Sequence, residues 1–127
     1  MLKYAFNPMK KKSVRVYGRG INTSEKSSKI LCKQMNGKNL IKAKAFLARL
    51  LDQTQSLDGK YYTKSAGHLL DLLKSAESNA EFKGLDVENM IVQASVHNGF
   101  KFMRPRRFKM RRQQKKIANL QVILQQK

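Results

Sequence analysis

Every acidic residue of the chain lies between Glu25 and Glu88. Residues 1–24 hold six bases and no acid, residues 25–88 hold eleven bases and eight acids, and residues 89–127 hold ten bases and no acid. The middle is close to a balanced domain, and the two flanks carry most of a net charge of +19. Self-repulsion of that order destabilises a compact chain unless an anion relieves it. With 127 residues, 41% of them hydrophobic, there is material for one domain with one modest core, and too much for a disordered basic tail. A polyanionic partner is expected from charge alone.

Other classes are weakened in the same pass. No run reaches the eighteen or so apolar residues of a membrane span. The basic stretch Met1–Lys12 has no apolar run behind it, so it does not read as a secretory signal. The single cysteine, Cys32, excludes an intrachain disulfide and suits a reducing compartment. It reads as a small apolar residue of a helix.

The middle has helical periodicity. Asn22-Thr23-Ser24 offers caps before Glu25, an acid suited to a first turn. Ile30, Leu31, Cys32 and Met35 follow, and Asn36-Gly37 stops the helix. A second helix is expected over about 39–52, with Leu40, Ala43, Leu47, Leu50 and Leu51 on one face. Residues 53–63 are polar, with a turn at Asp58-Gly59. A third helix is expected over about 64–82 on the stripe Ala66, Leu69, Leu70, Leu73, Ala76 and Ala80, and Lys83-Gly84 ends it.

Both ends alternate as strands do. Val14 and Val16 mark one, Met90, Val92, Ala94 and Val96 a second, and Leu120, Val122 and Leu124 a third. Alternation predicts one buried and one solvated face on each. If the last two stay paired, Val92 to Leu124 forms a hairpin with arms of about sixteen residues, roughly 50 Å long. Few residues near its bend are apolar enough to pack on the helices. A projecting arm is expected, ordered by something anionic.

Catalytic constellations are missing. His68 falls in a helix and His97 in a strand, with no third ligand spaced for a metal. Gly18-Arg19-Gly20 lacks the ending of a phosphate loop. It reads as a bend or bulge in the first strand, a reading compatible with close approach of Arg19 to phosphate. The strongest local signal is residues 100–116, where bases interleave with Phe102, Met103, Phe108 and Met110. Arginine forks onto phosphate and stacks on bases, and phenylalanine stacks on unpaired bases. Pro105 fixes the backbone near the bend.

Several segments, in order, carry a likeness. Ala76-Glu77-Ser78-Asn79-Ala80-Glu81-Phe82-Lys83-Gly84-Leu85-Asp86-Val87 is the sharpest. Gly18-Arg19-Gly20 with Ser24 and Lys26, Gly37-Lys38 with Ala43, and Phe102-Met103-Arg104-Pro105-Arg106 accompany it. Together they resemble the universal large-subunit ribosomal protein family L-twenty-two, L-seventeen in eukaryotic naming, in its archaeal and eukaryotic cytosolic branch. Two departures stand out. Arg107-Phe108-Lys109-Met110-Arg111 has no glycine where the family tip usually has one, and residues 53–63 are short where eukaryotic members usually have an insertion. With no basic tail after the last strand, the chain reads as a compact member.

The resemblance implies an α+β fold: three helices packed on a small antiparallel sheet, with a long protruding C-terminal β-hairpin. Residues 1–127 would form a single domain, with a basic N-terminal extension at 1–13. The hairpin would span 91–125 with its basic tip at about 100–116. The implied function is that of a structural constituent of the large subunit, binding its RNA and lining the nascent-peptide exit tunnel. The RNA contacts implied are Arg15, Arg19, Lys26 and Lys29 on the domain, and Lys101, Arg104, Arg106, Arg107, Lys109, Arg111, Arg112, Lys115 and Lys116 on the hairpin. Arg106, Arg107, Phe108, Lys109, Met110 and Arg111 would form the tunnel tip. Implied partners are ribosomal RNA, neighbouring proteins including L-four near the constriction, and the nascent polypeptide, in the cytoplasm. Neither a membrane, a cofactor, a metal, an enzymatic activity nor a homo-oligomer is implied. A free architectural nucleic-acid-binding protein is the alternative reading.

Overall fold

The last strand of the sequence occupies the centre of the sheet. The structure, a computed structural model, describes residues 2–127. Strand β1 (Ser13–Ile21), strand β2 (Met90–Asn98) and strand β5 (Ala118–Gln126) form an antiparallel sheet in the order β1-β5-β2. Two further strands of two residues each, β3 (Phe102–Met103) and β4 (Gln114–Lys115), pair separately. The register lines up apolar rows across the sheet. Val14 and Val92 both oppose Leu124, and Val16 and Ala94 both oppose Val122.

Three helices cover one face of this sheet: α1 (Glu25–Met35), α2 (Leu40–Leu51) and α3 (Thr63–Phe82). Helix α3 packs on β1 and β5, α1 packs on β2, and α2 packs on α3. Leu31, Met35, Leu47, Leu69, Leu73, Leu120 and Leu124 are fully buried between the layers. Each such leucine contributes about 1.5–3 kcal/mol relative to exposure. Helix boundaries follow the expected punctuation to within a residue or two. Asn39 caps α2, its Oδ1 accepting from the N–H of Ile41 at 3.3 Å. Leu57 and Lys60 exchange hydrogen bonds around the Asp58-Gly59 turn. Cys32 is buried in α1 as expected of a small apolar residue, and burial pushes its thiol up to about 12.

The solvated face expected for the final strand is not solvated. Gln121 and Ile123 are buried along with Leu120, Val122 and Leu124. The reason is the N-terminal segment, which runs across the far side of the sheet. Gln121 clamps it with both ends of its amide: Oε1 accepts from the N–H of Ala5 at 3.0 Å, and Nε2 donates to the carbonyl of Lys3 at 2.8 Å. A central strand covered on both faces has no alternating exposure to reveal its partners.

The free edge of β2 is also covered. Asn36 Oδ1 accepts from the N–H of Ala94 at 2.6 Å, and Val92 exchanges backbone bonds with Gly37 and Lys38. The turn after α1 therefore serves as a short fourth strand that blocks further pairing. No helix among the described residues is long and apolar enough to cross a membrane.

The hairpin is present, but its arms do not remain paired over sixteen residues. Nine pairs run from Met90 opposite Gln126 to Asn98 opposite Ala118. Residues 99–101 then face only residues 116–117, a one-residue bulge, before Phe102 opposes Lys115 and Met103 opposes Gln114. The physical reason is loss of support. β1 ends where Ile21 opposes Ala118, so no third strand flanks the hairpin beyond that level. From Phe100 to Lys116 every residue is exposed, and an isolated two-stranded ribbon is only marginally stable in water.

Candidate nucleic-acid interface

The root of the hairpin is built on two bulges. In β1, Arg19 and Gly20 together face the single residue Asn119, as the register shifts between Gly18 and Ile21. The Gly18-Arg19-Gly20 segment is thus a bulge, as read from sequence, and it leaves Arg19 exposed. Asn119 Oδ1 accepts from the N–H of Gly20 at 2.8 Å. On the hairpin side, Gly99 lies so close to Ile117 that a side chain there would meet the Ile117 carbonyl at 3.1 Å. These contacts fix where the basic segment leaves the body.

Beyond the root, Arg104 extends the ladder by one bond, its N–H donating to the Gln113 carbonyl at 3.0 Å. Lys115 Nζ sits 4.9 Å from the centre of the Phe102 ring, a cation–π arrangement that steadies both side chains. The tip turns through a short 3-10 segment, Phe108–Met110. Its chain reverses without glycine because Arg112 takes the left-handed conformation, with φ of 60°. That conformation costs about 1–2 kcal/mol for a residue with a Cβ. Between the arms, Phe102, Met103 and Pro105 line a cleft of about 960 Å³ together with Arg106, Arg111 and Arg112. Phe108 is 88% exposed. An apolar surface ringed by guanidinium groups is suited to unpaired bases and the phosphates that join them.

The sequence-predicted residues fall into three groups. Lys101, Arg104, Arg106, Arg107, Lys109, Arg111, Arg112, Lys115 and Lys116 share one acid-free exposed extension. Arg19 and Lys26 are exposed on the body, and Lys26 lines a groove with Lys101, Lys115 and Lys116 at the hairpin root. Arg15 and Lys29 are engaged within the chain. Arg15 donates to the Pro8 carbonyl at 3.2 Å and lies 5.5 Å from the Tyr4 ring centre, and Lys29 faces Glu25 at 3.7 Å.

Sequence reasoning missed the contribution of the third helix. Lys64, with Thr63 and Ser65, lines a groove of about 540 Å³ whose other wall includes Arg104, Lys115 and Lys116. No local pattern marks Lys64, since a lysine in a first helical turn reads as solvated surface. The two histidines stand apart: His68 lies on α3, while His97 Nε2 lies 3.1 Å from the Tyr17 hydroxyl and 3.2 Å from Asn119 Nδ2. Among the described residues, no three His, Cys, Asp or Glu side chains come together.

The family described as ribosomal protein L22p/L17e matches residues 16–125 of this chain. The chain is 33% identical over 99 residues to the large ribosomal subunit protein uL22 of Methanocella arvoryzae, a match covering 62% of this chain and 65% of that protein. It is 30% identical over 125 residues to the protein of the same name from Methanococcoides burtonii, covering 83% of each. A shorter match, 54% over 41 residues, relates it to the uL22 of Caenorhabditis elegans, covering 32% of this chain and 22% of that protein. The chain thus spans just under two thirds of the Methanocella relative and about a fifth of the Caenorhabditis one.

Proposed function

The chain belongs to the ribosomal protein L22p/L17e family, structural rather than enzymatic, and on that footing we propose that it is a structural constituent of the large ribosomal subunit that binds its RNA through the hairpin. One observation carries the reading: residues 100–116 hold nine bases and no acid, and all of them are exposed. Such a segment has nothing in its own chain to neutralise it. Phosphate neutralisation with release of counterions supplies the favourable term.

In this reading Arg19, Lys26, Lys101, Lys115 and Lys116 hold RNA at the hairpin root, and Arg104 and Arg112 continue the contact outward. Arg106, Arg107, Phe108, Lys109, Met110 and Arg111 reach the wall of the nascent-peptide exit tunnel, close to L-four and to the nascent chain. Arg15 and Lys29 contribute less, because Arg15 is held by the Pro8 carbonyl and the Tyr4 ring and Lys29 faces Glu25. The protein acts as one copy per subunit, without a membrane and without self-association. Its place is a cytosolic ribosome of the kind shared by the archaeal and eukaryotic relatives. The chemistry is positional: the body supplies a rigid mount, and the hairpin gains its order from the RNA around it.

A density map of the intact particle tests this reading. Residues 100–116 should lie among RNA nucleotides with the tip at the tunnel wall. A hairpin folded back on the protein's own helices, away from nucleotides, would overturn it. Fractionation gives an independent check, since the protein should sediment with large subunits near one copy each.

A further inference from the structure

The groove at the hairpin root is formed by cations from separate parts of the chain. One wall carries the start of α1 and the start of α3, and the other carries the two arms of the hairpin. Lys64 faces it from the body, and Arg104, Lys115 and Lys116 face it from the arms. No acid lines its volume of about 540 Å³. In the adjoining groove the one acid is Glu25, which already faces Lys29 at 3.7 Å. Four cations gathered around a concave surface repel one another until an anion enters.

The walls are suited to more than charge. Ser27 and Thr63 offer hydroxyls at the groove surface. Thr23 turns inward, its Oγ1 lying 2.7 Å from Ser65 Oγ, and so pins the starts of α1 and α3 together. Neither Ser24 nor Tyr62 makes a side-chain cap, so the first turns of α1 and α3 keep uncapped backbone N–H groups beside the groove. The groove is therefore tied together on the body side by a buried hydrogen bond and is cationic on both sides.

We propose that this groove seats the sugar–phosphate backbone of one RNA strand, held between Lys64 on the helical body and Lys116 on the hairpin. A strand gripped from both walls fixes the angle at which the hairpin leaves the body. The proposal rests on the RNA-binding reading above, and adds to it a defined site and a residue outside the basic run.

The test is titration of the full chain with an in vitro transcript of large-subunit ribosomal RNA, by filter binding, across about 50–200 mM monovalent salt. The variant Lys64→Gln with Lys116→Gln should reduce the slope of log affinity against log salt by about 0.7–0.9 for each lost contact. Lys42→Gln with Lys74→Gln removes the same charge from exposed positions on α2 and α3, and should leave the slope near that of the parent. If both pairs lower the slope equally while the parent binds steeply, the groove is overturned and the RNA-binding reading stands. If the parent shows no salt-dependent binding, both fall. Should the groove pair unfold, Ser27→Glu asks the same question, with an expected loss of about tenfold in affinity. Unchanged affinity in a folded Ser27→Glu protein would also overturn the site.

Discussion

A methyl group built on Gly20 would stand 2.8 Å from Cε1 of Phe100. The ring of Phe100 thus lies directly on the backbone of the β1 bulge, where Gly20 has φ of +67°. The first strand and the root of the hairpin are locked face to face by a residue that has no side chain and one that is largely side chain.

Gly20→Ala should therefore destabilise the protein. The left-handed backbone alone costs about 1–2 kcal/mol once a Cβ is present, and displacement of the ring adds to it. Urea denaturation of Gly20→Ala, Phe100→Ala and the double variant gives the coupling. The cost of Gly20→Ala should be smaller when Phe100 is already truncated. Strict additivity would show that the ring does not press on the bulge.

Leu69 and Leu73 have no exposed surface on α3. Replacing either by Asp places a charge without a partner among apolar side chains. Each variant should lose the cooperative thermal transition seen by circular dichroism. A retained transition near the parental temperature would contradict the packing described for α3.

Charge reversal should discriminate between the two basic ends. Arg106, Arg107 and Arg111 lie on the free tip, whereas Lys3, Lys10 and Lys11 belong to the segment before β1. Reversing the first three together should reduce incorporation into large subunits more than reversing the second three. Equal subunit yields in sucrose gradients would count against the hairpin assignment.

The buried Cys32 thiol adds a pH dependence. Its ordinary value of 9.0 is pushed up to about 12 by desolvation. Above 9.0 the unfolded chain ionises this thiol while the folded chain keeps it neutral. The contribution is whole below that pH and disappears as the pH climbs toward 12. Between the two values the folding equilibrium should weaken by about tenfold per pH unit beyond the trend of Cys32→Ala. The two proteins differ only at residue 32, so the difference between their slopes is the measurement. Parallel slopes would mean the thiol is accessible to water in the folded chain.

The helices were legible because their signals are local. Leu69 and Leu73 announce a face by spacing alone, and Asn36-Gly37 announces an end. The bulge at Gly18-Arg19-Gly20 was legible for the same reason. The coverage of Gln121 was not, because a glutamine between apolar residues reads as solvated until a distant segment is found lying on it. The broken ladder was hidden for a related reason. Alternation in one strand says nothing of where a third strand stops supporting it. Within the candidate interface, the basic run stood out by density, while Lys64 becomes visible only when α3 is set beside the hairpin.

Strand β5 leaves the peptidyl-transferase centre after every other element described here, yet both β1 and β2 hydrogen-bond to it and not to each other. During synthesis β1 must wait for residues about a hundred positions downstream, as Ser13 does for Gln125, while β2 waits only for the hairpin to return. Helices α1 to α3 can form as they emerge, but the sheet closes only at the end, by insertion rather than by accretion. A nascent chain stalled before residue 118 would hold two apolar strands without a mate. For such a chain, prompt capture of the half-built body by a chaperone or by assembling RNA would be the difference between maturation and aggregation.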